Sequence, residues 1–395
     1  MSYLHKLKCQ GFLEKENSIW LSNWFFNALI EVEKANGNIR TMKKFPDYEV
    51  WKDKLYSEIC LVDGTLVFVP NKSEEVVSYH IENGRFTSCA LDVGQVGEAK
   101  PYFKSAVVYR NYVYMFPMNA ECIIRYDVVE NSIKYFENLS HIIKNEKHEN
   151  FIWFPMRYEI LNGKVYIPFV ELNAVAIFDI NKESLDIRHI DIRGGCTTIN
   201  YMQGHFYMAS SRSPNIYRWD IKTDEVKIYD AFPEKFVPGQ LLFSDTCRTK
   251  NRIVFFPLFS NMIVSLDIHT GEIHEERRIE IVDEGLCKTY CVRKSKGKVY
   301  VITSDQGNIC IARDMDSIDR KIGLMPGIRW ENRYNQSAID EYLMNQGYFD
   351  GIFEKTEMLE EYLEILEKSK KRNILKPKGS NGKLIFDRMM DMVKP

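Results

Sequence analysis

The chain has 395 residues, of which 45% are hydrophobic, 27% charged and 13% aromatic, a balance that excludes a disordered or low-complexity polymer. Its 53 Lys and Arg nearly cancel its 55 Asp and Glu, and a formal net charge of -2 excludes a global electrostatic pull toward nucleic acid or an anionic membrane. The chain is too long for one ordinary core, yet its composition does not change from one half to the other, and internal repetition resolves that tension.

Residues 1–10 lack the uninterrupted apolar stretch of a secretion signal, and no later stretch is long and apolar enough to span a bilayer. The nine cysteines, at 9, 60, 89, 122, 196, 247, 287, 291 and 310, are an odd number scattered mostly through apolar, strand-like runs. They read as buried, reduced thiols, and the expected compartment is cytoplasmic. Neither a nucleic-acid nor a membrane partner is expected.

Proceeding along the chain, one pattern recurs. An apolar run with an aromatic or branched centre is followed by a polar turn, then by an Asn-led hydrophobic run that closes on an aromatic-Asp-Ile sequence. The centres are Trp20, Phe68, Tyr114, Tyr166, Tyr207, Val254 and Tyr300, separated by 41 to 52 residues. The fourth unit is a clear copy, with Lys164-Val165-Tyr166-Ile167-Pro168 followed by Asn173-Ala174-Val175-Ala176-Ile177-Phe178-Asp179-Ile180. The fifth reads His205-Phe206-Tyr207-Met208-Ala209, a turn at Arg212-Ser213-Pro214-Asn215, then Ile216-Tyr217-Arg218-Trp219-Asp220-Ile221 and a second turn at Lys222-Thr223-Asp224-Glu225. The sixth repeats this with Arg252 to Pro257, Asn261 to Ile268, and a turn at His269-Thr270-Gly271-Glu272. Period-two alternation of Val, Ile, Tyr and Phe predicts strands, and the polar clusters predict hairpin turns.

Four strands of ordinary length with short turns consume roughly 40 to 50 residues. The expected fold is therefore all-β, a seven-bladed β-propeller of four-stranded antiparallel blades over residues 1–325. The recurring Asn (27, 173, 215, 261 and 308, with Glu74 or Glu75 and Glu121 at the matching places) is expected to cap a tight turn with its own side chain. The recurring Asp (127, 179, 220, 267 and 314) is expected to accept hydrogen bonds from backbone N–H groups of the turn that follows it.

The run from Val165 to Ile180, with its sisters at 206–221 and 253–268, resembles the YVTN-type repeat and is similar to kelch-like propellers in general. The resemblance covers about the first 325 residues and implies the fold; such propellers include binding scaffolds, sensors and some enzymes. The Asn that closes the first strand of that repeat is replaced here by Pro70, Pro117 and Pro257, and the double-Gly and Gly-His…Trp-Asp signatures of kelch and WD-repeat blades are absent.

Past Pro326 the period changes and a helical extension is expected over 326–395. Ser337 to Asp340 has capping-box spacing. From Thr356, the residues Met358, Leu359, Tyr362, Leu363, Ile365 and Leu366 form one apolar stripe opposite Glu357, Glu360, Glu361, Glu364 and Glu367. This helix either packs on the propeller or binds a partner. The basic stretch around Lys368–Arg372 and Lys376–Lys378 has no interleaved aromatics, so it reads as a solvated linker.

Function should reside where the repeats differ. Ligands of propellers usually bind at one mouth of the central channel, so the strand upstream of each centre carries the candidate ligand-binding residues: Glu58, Lys104 (with Ser105), Arg157, Thr198, Asp245, and Lys288 or Cys291, with Trp153 in a loop at the same mouth. A half-buried charge needs a partner or a use. Two uses stand open: mutual pairing across the channel, for example Glu58 with Lys104 and Asp245 with Arg157, and a polar ligand.

No catalytic residue, metal set or cofactor is expected, for there is no Gly-rich phosphate loop, nucleophile elbow or metalloprotease helix, and Cys287 with Cys291 lacks a second pair. The reading is a non-catalytic scaffold that offers its channel mouth to a peptide, a sugar-containing ligand or a protein. The alternative is a hydrolase or lyase for an anionic small molecule, with Glu58 or Asp245 as acid/base and Arg157 and Lys104 holding the anion.

Overall fold

A computed structural model describes residues 11–278, apart from 25–26, 36–38, 49–51, 101, 137–156 and 240, together with the backbone of four strands between 289 and 323. The strands form four-stranded antiparallel sheets at residues 12–43, 56–90, 103–135, 159–189, 196–229, 243–278 and 289–323. They are numbered 1 to 7 in that order. Each sheet is a meander in which consecutive strands are neighbours.

The apolar runs are buried on both faces, because period two divides each strand between two layers. In sheet 4, Val165 and Ile167 join the core shared with sheet 3, where they meet Tyr114 and Phe116. Tyr166 between them belongs to the core shared with sheet 5, alongside Phe206 and Met208. The same division repeats between sheets 2 and 3, 5 and 6, and 1 and 2. The first strands of successive sheets pack on one another, as Tyr56–Val62 does on Phe103–Tyr109 and Cys196–Met202 on Phe243–Arg248. These first strands are largely buried, whereas last strands such as Arg85–Ala90 and Ser184–His189 are mostly exposed or half-buried. The sheets are thus stacked face to face, with their first strands innermost and their last strands at the rim.

The recurring Asp does what its position predicts. Asp127, Asp179, Asp220 and Asp267 each accept two N–H groups through Oδ1, from the residues two and three places on, at 2.8 to 3.3 Å. Four residues after each of these, and after His80 of sheet 2, the backbone turns left-handed, at Gly84, Asn131, Glu183, Asp224 and Gly271. These five residues face the outermost strand of the preceding sheet. Lys43 donates to Gly84 O at 3.2 Å, Asn131 Nδ2 donates to Ser88 O at 3.0 Å, Lys134 pairs with Glu183, and Arg188 pairs with Asp224. At Gly271 an added Cβ would lie 2.7 Å from the Tyr229 ring. One turn conformation therefore latches five successive pairs of sheets at the rim.

Glu183 is the most elaborate latch: Arg125 and Lys134 of sheet 3 pair with its carboxylate, and the Tyr114 hydroxyl donates to it at 3.0 Å. Burial acts to raise the Glu183 carboxyl, but the donors from Lys134 and Tyr114 and the Arg125 charge outweigh it and hold the group below its ordinary value. Tyr114, buried and facing that carboxylate, is pushed up to about 12.

The recurring Asn is less uniform than expected. Asn215 Nδ2 stays local, donating to Ser213 Oγ. Asn27 and Asn261 are buried and hold distant backbone instead. Asn27 accepts from Phe45 N and donates to Phe45 O and Tyr48 O; Asn261 accepts from Val237 N and donates to Lys235 O. They fasten the connectors between sheets, whose buried polar groups have no ladder to join. A four-residue helix at Val93–Val96, capped by Asp92 in the connector between sheets 2 and 3, has no counterpart in the sequence reading. The extension expected over 326–395 lies outside the described residues.

Candidate functional site

The innermost strands share an irregularity that organises one mouth of the channel. In sheets 2, 3, 5, 6 and 7 the pairing of first and second strands slips by one residue near the start of the first strand. The extra residues are Ser57, Lys104, Thr197, Ser244 and Tyr290. A β-bulge re-aims the side chains beside it, and five of them at the same level create a ring of irregular backbone. The second strand facing the slip ends at Pro70, Pro117, Ser210, Pro257 and Thr303 respectively. Proline suits that end because it lacks the N–H that a continued ladder would need.

This register corrects the equivalence read from sequence. The residues following the bulge are Glu58, Ser105, Thr198, Asp245 and Cys291, so Ser105 is the counterpart of Glu58 and Asp245 while Lys104 is the bulged residue itself. In sheet 7 the equivalent residue is Cys291. Lys288 and Trp153 lie outside the described residues. Periodicity cannot reveal a one-residue insertion. The prolines closing the second strands were the signal that could have fixed the register.

The candidate side chains are mostly buried and engaged. Glu58, 7% exposed, accepts the N–H of Ala106 in sheet 3 at 3.0 Å, and Ser57 Oγ donates to Phe103 O in the same strand at 3.0 Å. Gly11, leading into sheet 1, lies so close to this bulge that a Cβ there would come within 2.7 Å of Glu58 Cα. Thr198 is fully buried, and its Oγ1 accepts Ala209 N–H at 3.2 Å. Lys104 is half-buried.

Arg157 forms the expected ion pair with Asp245, and its Nη2 donates to Thr246 O at 2.6 Å. Asp245 is 3% exposed and also accepts Thr246 N–H at 2.8 Å. Arg157 immediately precedes sheet 4, whereas Asp245 and Thr246 belong to sheet 6. The pair therefore passes over the innermost strand of sheet 5. A second bridge does the same near the other end of that strand: Arg248 of sheet 6 reaches Glu159 of sheet 4 at 3.4 Å and donates to Tyr201 O at 2.6 Å, while Glu159 accepts Tyr201 N–H at 3.1 Å. Asn200 of sheet 5 donates to Thr246 Oγ1 between the two. Sequence reasoning missed Glu159, Asn200, Thr246 and Arg248, since their partners lie 42 to 89 residues away.

Buried hydroxyls without a protein partner at this end of the sheets include Ser105 Oγ beside the bulge of sheet 3 and Thr197 Oγ1 in the bulge of sheet 5, with Ser22 Oγ and Ser211 Oγ at or just past the ends of the second strands of sheets 1 and 5. A buried hydroxyl left unpaired costs about 1 to 3 kcal/mol. No group of three or more His, Cys, Asp or Glu is arranged to hold a metal among the described residues. The Cys196 thiol, at the foot of the same bulge, is pushed up by burial, away from the reactive thiolate.

No protein-family model matches the chain, and no curated protein sequence matches it. Solved structures do. Virginiamycin B lyase from Staphylococcus aureus superposes with a TM-score of 0.59 at 12% identity, over 78% of this chain and 95% of the lyase. The WD40 repeats of RRP9 give 0.54 at 9% identity over 76% and 88% of the two chains, and U3-55K gives 0.53 at 10% identity over 76% and 89%. At such identities the likeness speaks for architecture alone: the chain has the β-propeller fold.

Proposed function

We propose that the chain is a seven-bladed, YVTN- or kelch-like binding propeller that takes up a peptide, a sugar-containing ligand or a protein segment at the bulged mouth of its channel. The observation that carries this reading is the pair of orphaned hydroxyls, Ser105 Oγ and Thr197 Oγ1, buried at the bulges of two innermost strands. A ligand's polar atoms would supply what they lack. Restraint of the acid/base candidates favours binding over turnover, because Asp245 is ion-paired and bonded to the backbone and Glu58 holds the Ala106 N–H. A protein partner is in keeping with the WD40 structures among its likenesses. Cys60, Cys122, Cys196 and Cys247, all buried within the sheets, are in keeping with a cytoplasmic protein.

Affinity capture from the native extract, with the bound species identified by mass spectrometry, tests the reading when repeated on variants. Ser105→Ala with Thr197→Val removes two unpaired groups, so the melting temperature should hold or rise while retention of the captured species falls at least about tenfold. Arg157→Ala alone removes the guanidinium paired with buried Asp245 and should cost roughly 3 kcal/mol; adding Asp245→Asn should recover much of that. Undiminished capture by the Ser105/Thr197 variant would count against the site. Turnover of the captured molecule, lost in Asp245→Asn, would replace scaffold by hydrolase or lyase.

A further inference from the structure

The bulged mouth has a uniform chemistry that narrows what it can hold. In sheets 2, 3, 5 and 6 both the bulged residue and the one after it are polar, from Ser57 and Glu58 to Ser244 and Asp245. The ionisable residues described at this level are two carboxylates, Glu58 and Asp245, and two cations, Lys104 and Arg157, so their charges sum to zero. Arg157 and Asp245 pair with each other, and Glu58 holds a backbone N–H. At this end, the unpartnered atoms of the first strands and of the second-to-third-strand turns are uncharged. They comprise Ser105 Oγ, Thr197 Oγ1, Ser211 Oγ, Asn119 Oδ1 and both polar atoms of the Asn23 carboxamide, with Ser22 Oγ at the strand end before it. None of these residues is more than 4% exposed. Large apolar residues flanking the same positions, such as Tyr102, Phe103, Phe169 and Phe243, are buried in the cores between sheets and turn no face to a ligand.

We infer that the ligand of this mouth is an uncharged, hydroxyl-rich molecule, a neutral saccharide; the inference rests on the binding reading given above and names its ligand class. A charged ligand would enter unmatched, because the balanced set at this level has no surplus of either sign and Arg157 is already held by Asp245. A peptide segment would bring side chains that need apolar anchorage, which the described residues of the mouth do not offer. A sugar hydroxyl both donates and accepts, and so do Ser105, Thr197 and the Asn23 carboxamide, so the two sets can pair in either sense. Access lies through the half-buried residues of the same bulges, Lys104 beside Ser105 and Ser244 beside Asp245. With no aromatic face to stack on, affinity depends on neutral hydrogen bonds, each of small net value, and binding should be weak and fast in exchange.

Ligand-observed saturation-transfer NMR on the full-length protein suits such binding and tests it. The neutral probes are methyl glucoside, methyl galactoside, methyl mannoside and methyl N-acetylglucosaminide; glucuronate and galacturonate are the charged probes, and an acetylated, amidated tripeptide is the peptide probe. Transfer is expected to at least one glycoside and to neither uronate nor the peptide, and it should fall at least about fivefold in Ser105→Ala with Thr197→Val. Asp245→Asn leaves Arg157 unmatched and should admit a uronate, a gain that misfolding cannot produce. No transfer to any glycoside, wild-type transfer to a uronate or the peptide as strong as to the glycosides, or glycoside transfer unchanged in the double variant would each overturn the assignment. Silent glycosides alongside a captured species that the double variant releases would remove the saccharide and keep the site, so the two readings fail separately.

Discussion

Asp267 and Asp220 show how far one side chain can be read from its sequence neighbourhood. Each closes a strand, precedes a polar cluster and accepts two N–H groups of that cluster, and these hydrogen bonds hold both carboxyls below their ordinary range. A carboxyl depressed in the folded state adds stability above its unfolded pKa, near about 4, and that contribution is lost as the pH falls through the folded value. Asp267→Asn keeps an acceptor oxygen but cannot titrate. Its melting temperature should therefore decline less than the wild type's between about pH 5 and pH 3, whereas Asp267→Ala should be less stable throughout. Identical slopes for the wild type and the Asn variant would remove the turn carboxylates from the acid response. Asn27 and Asn261 were illegible in the same way that Asp267 was legible, because the backbone they hold lies 18 to 26 residues away and no local pattern records it.

Strands and their periods were apparent in the sequence because both faces of sheets 2 to 5 are buried, which makes the apolar runs nearly continuous. Register was not, since a bulge adds a residue without disturbing hydrophobicity, and that is why Lys104 was aligned where Ser105 belongs. The rim latch was equally hidden, though its parts were visible: residues as unlike as Gly84, Asn131, Glu183, Asp224 and Gly271 share one backbone conformation and differ only in what they offer the preceding sheet. At Gly271 both requirements meet, a φ of +79° and a Tyr229 ring already in contact. Gly271→Ala should cost more than about 1 kcal/mol, part of it from strain and part from the ring. In a double-mutant cycle with Tyr229→Ala, measured by denaturant unfolding, the two losses should fall short of additive. Full additivity would mean that the ring imposes nothing on the turn.

Architecture followed from the 41-to-52-residue spacing and from the burial that each unit demands of its neighbours. The Arg157–Asp245 bridge was anticipated as a charge pairing, but its path over sheet 5 required three sheets to be placed in order. Sheets 4, 5 and 6 are consequently joined by side chains as well as by packed faces. A site-specific protease sequence inserted between Arg193 and Gly194, in the connector from sheet 4 to sheet 5, should yield two fragments that co-elute under native conditions, because the cut opens no ladder and leaves both bridges whole. Fragments that separate would show that the connector, rather than the interface, holds the halves together.

Among the described residues every sheet is completed by its own stretch of chain and borrows no strand from elsewhere. During synthesis each can therefore finish its hydrogen-bonded ladder soon after its fourth strand leaves the ribosome, within a few seconds at ordinary elongation rates of about 5 to 20 residues per second. The nascent protein is then a growing stack with one bare apolar face. A single chaperone contact at that advancing face would protect every intermediate in turn.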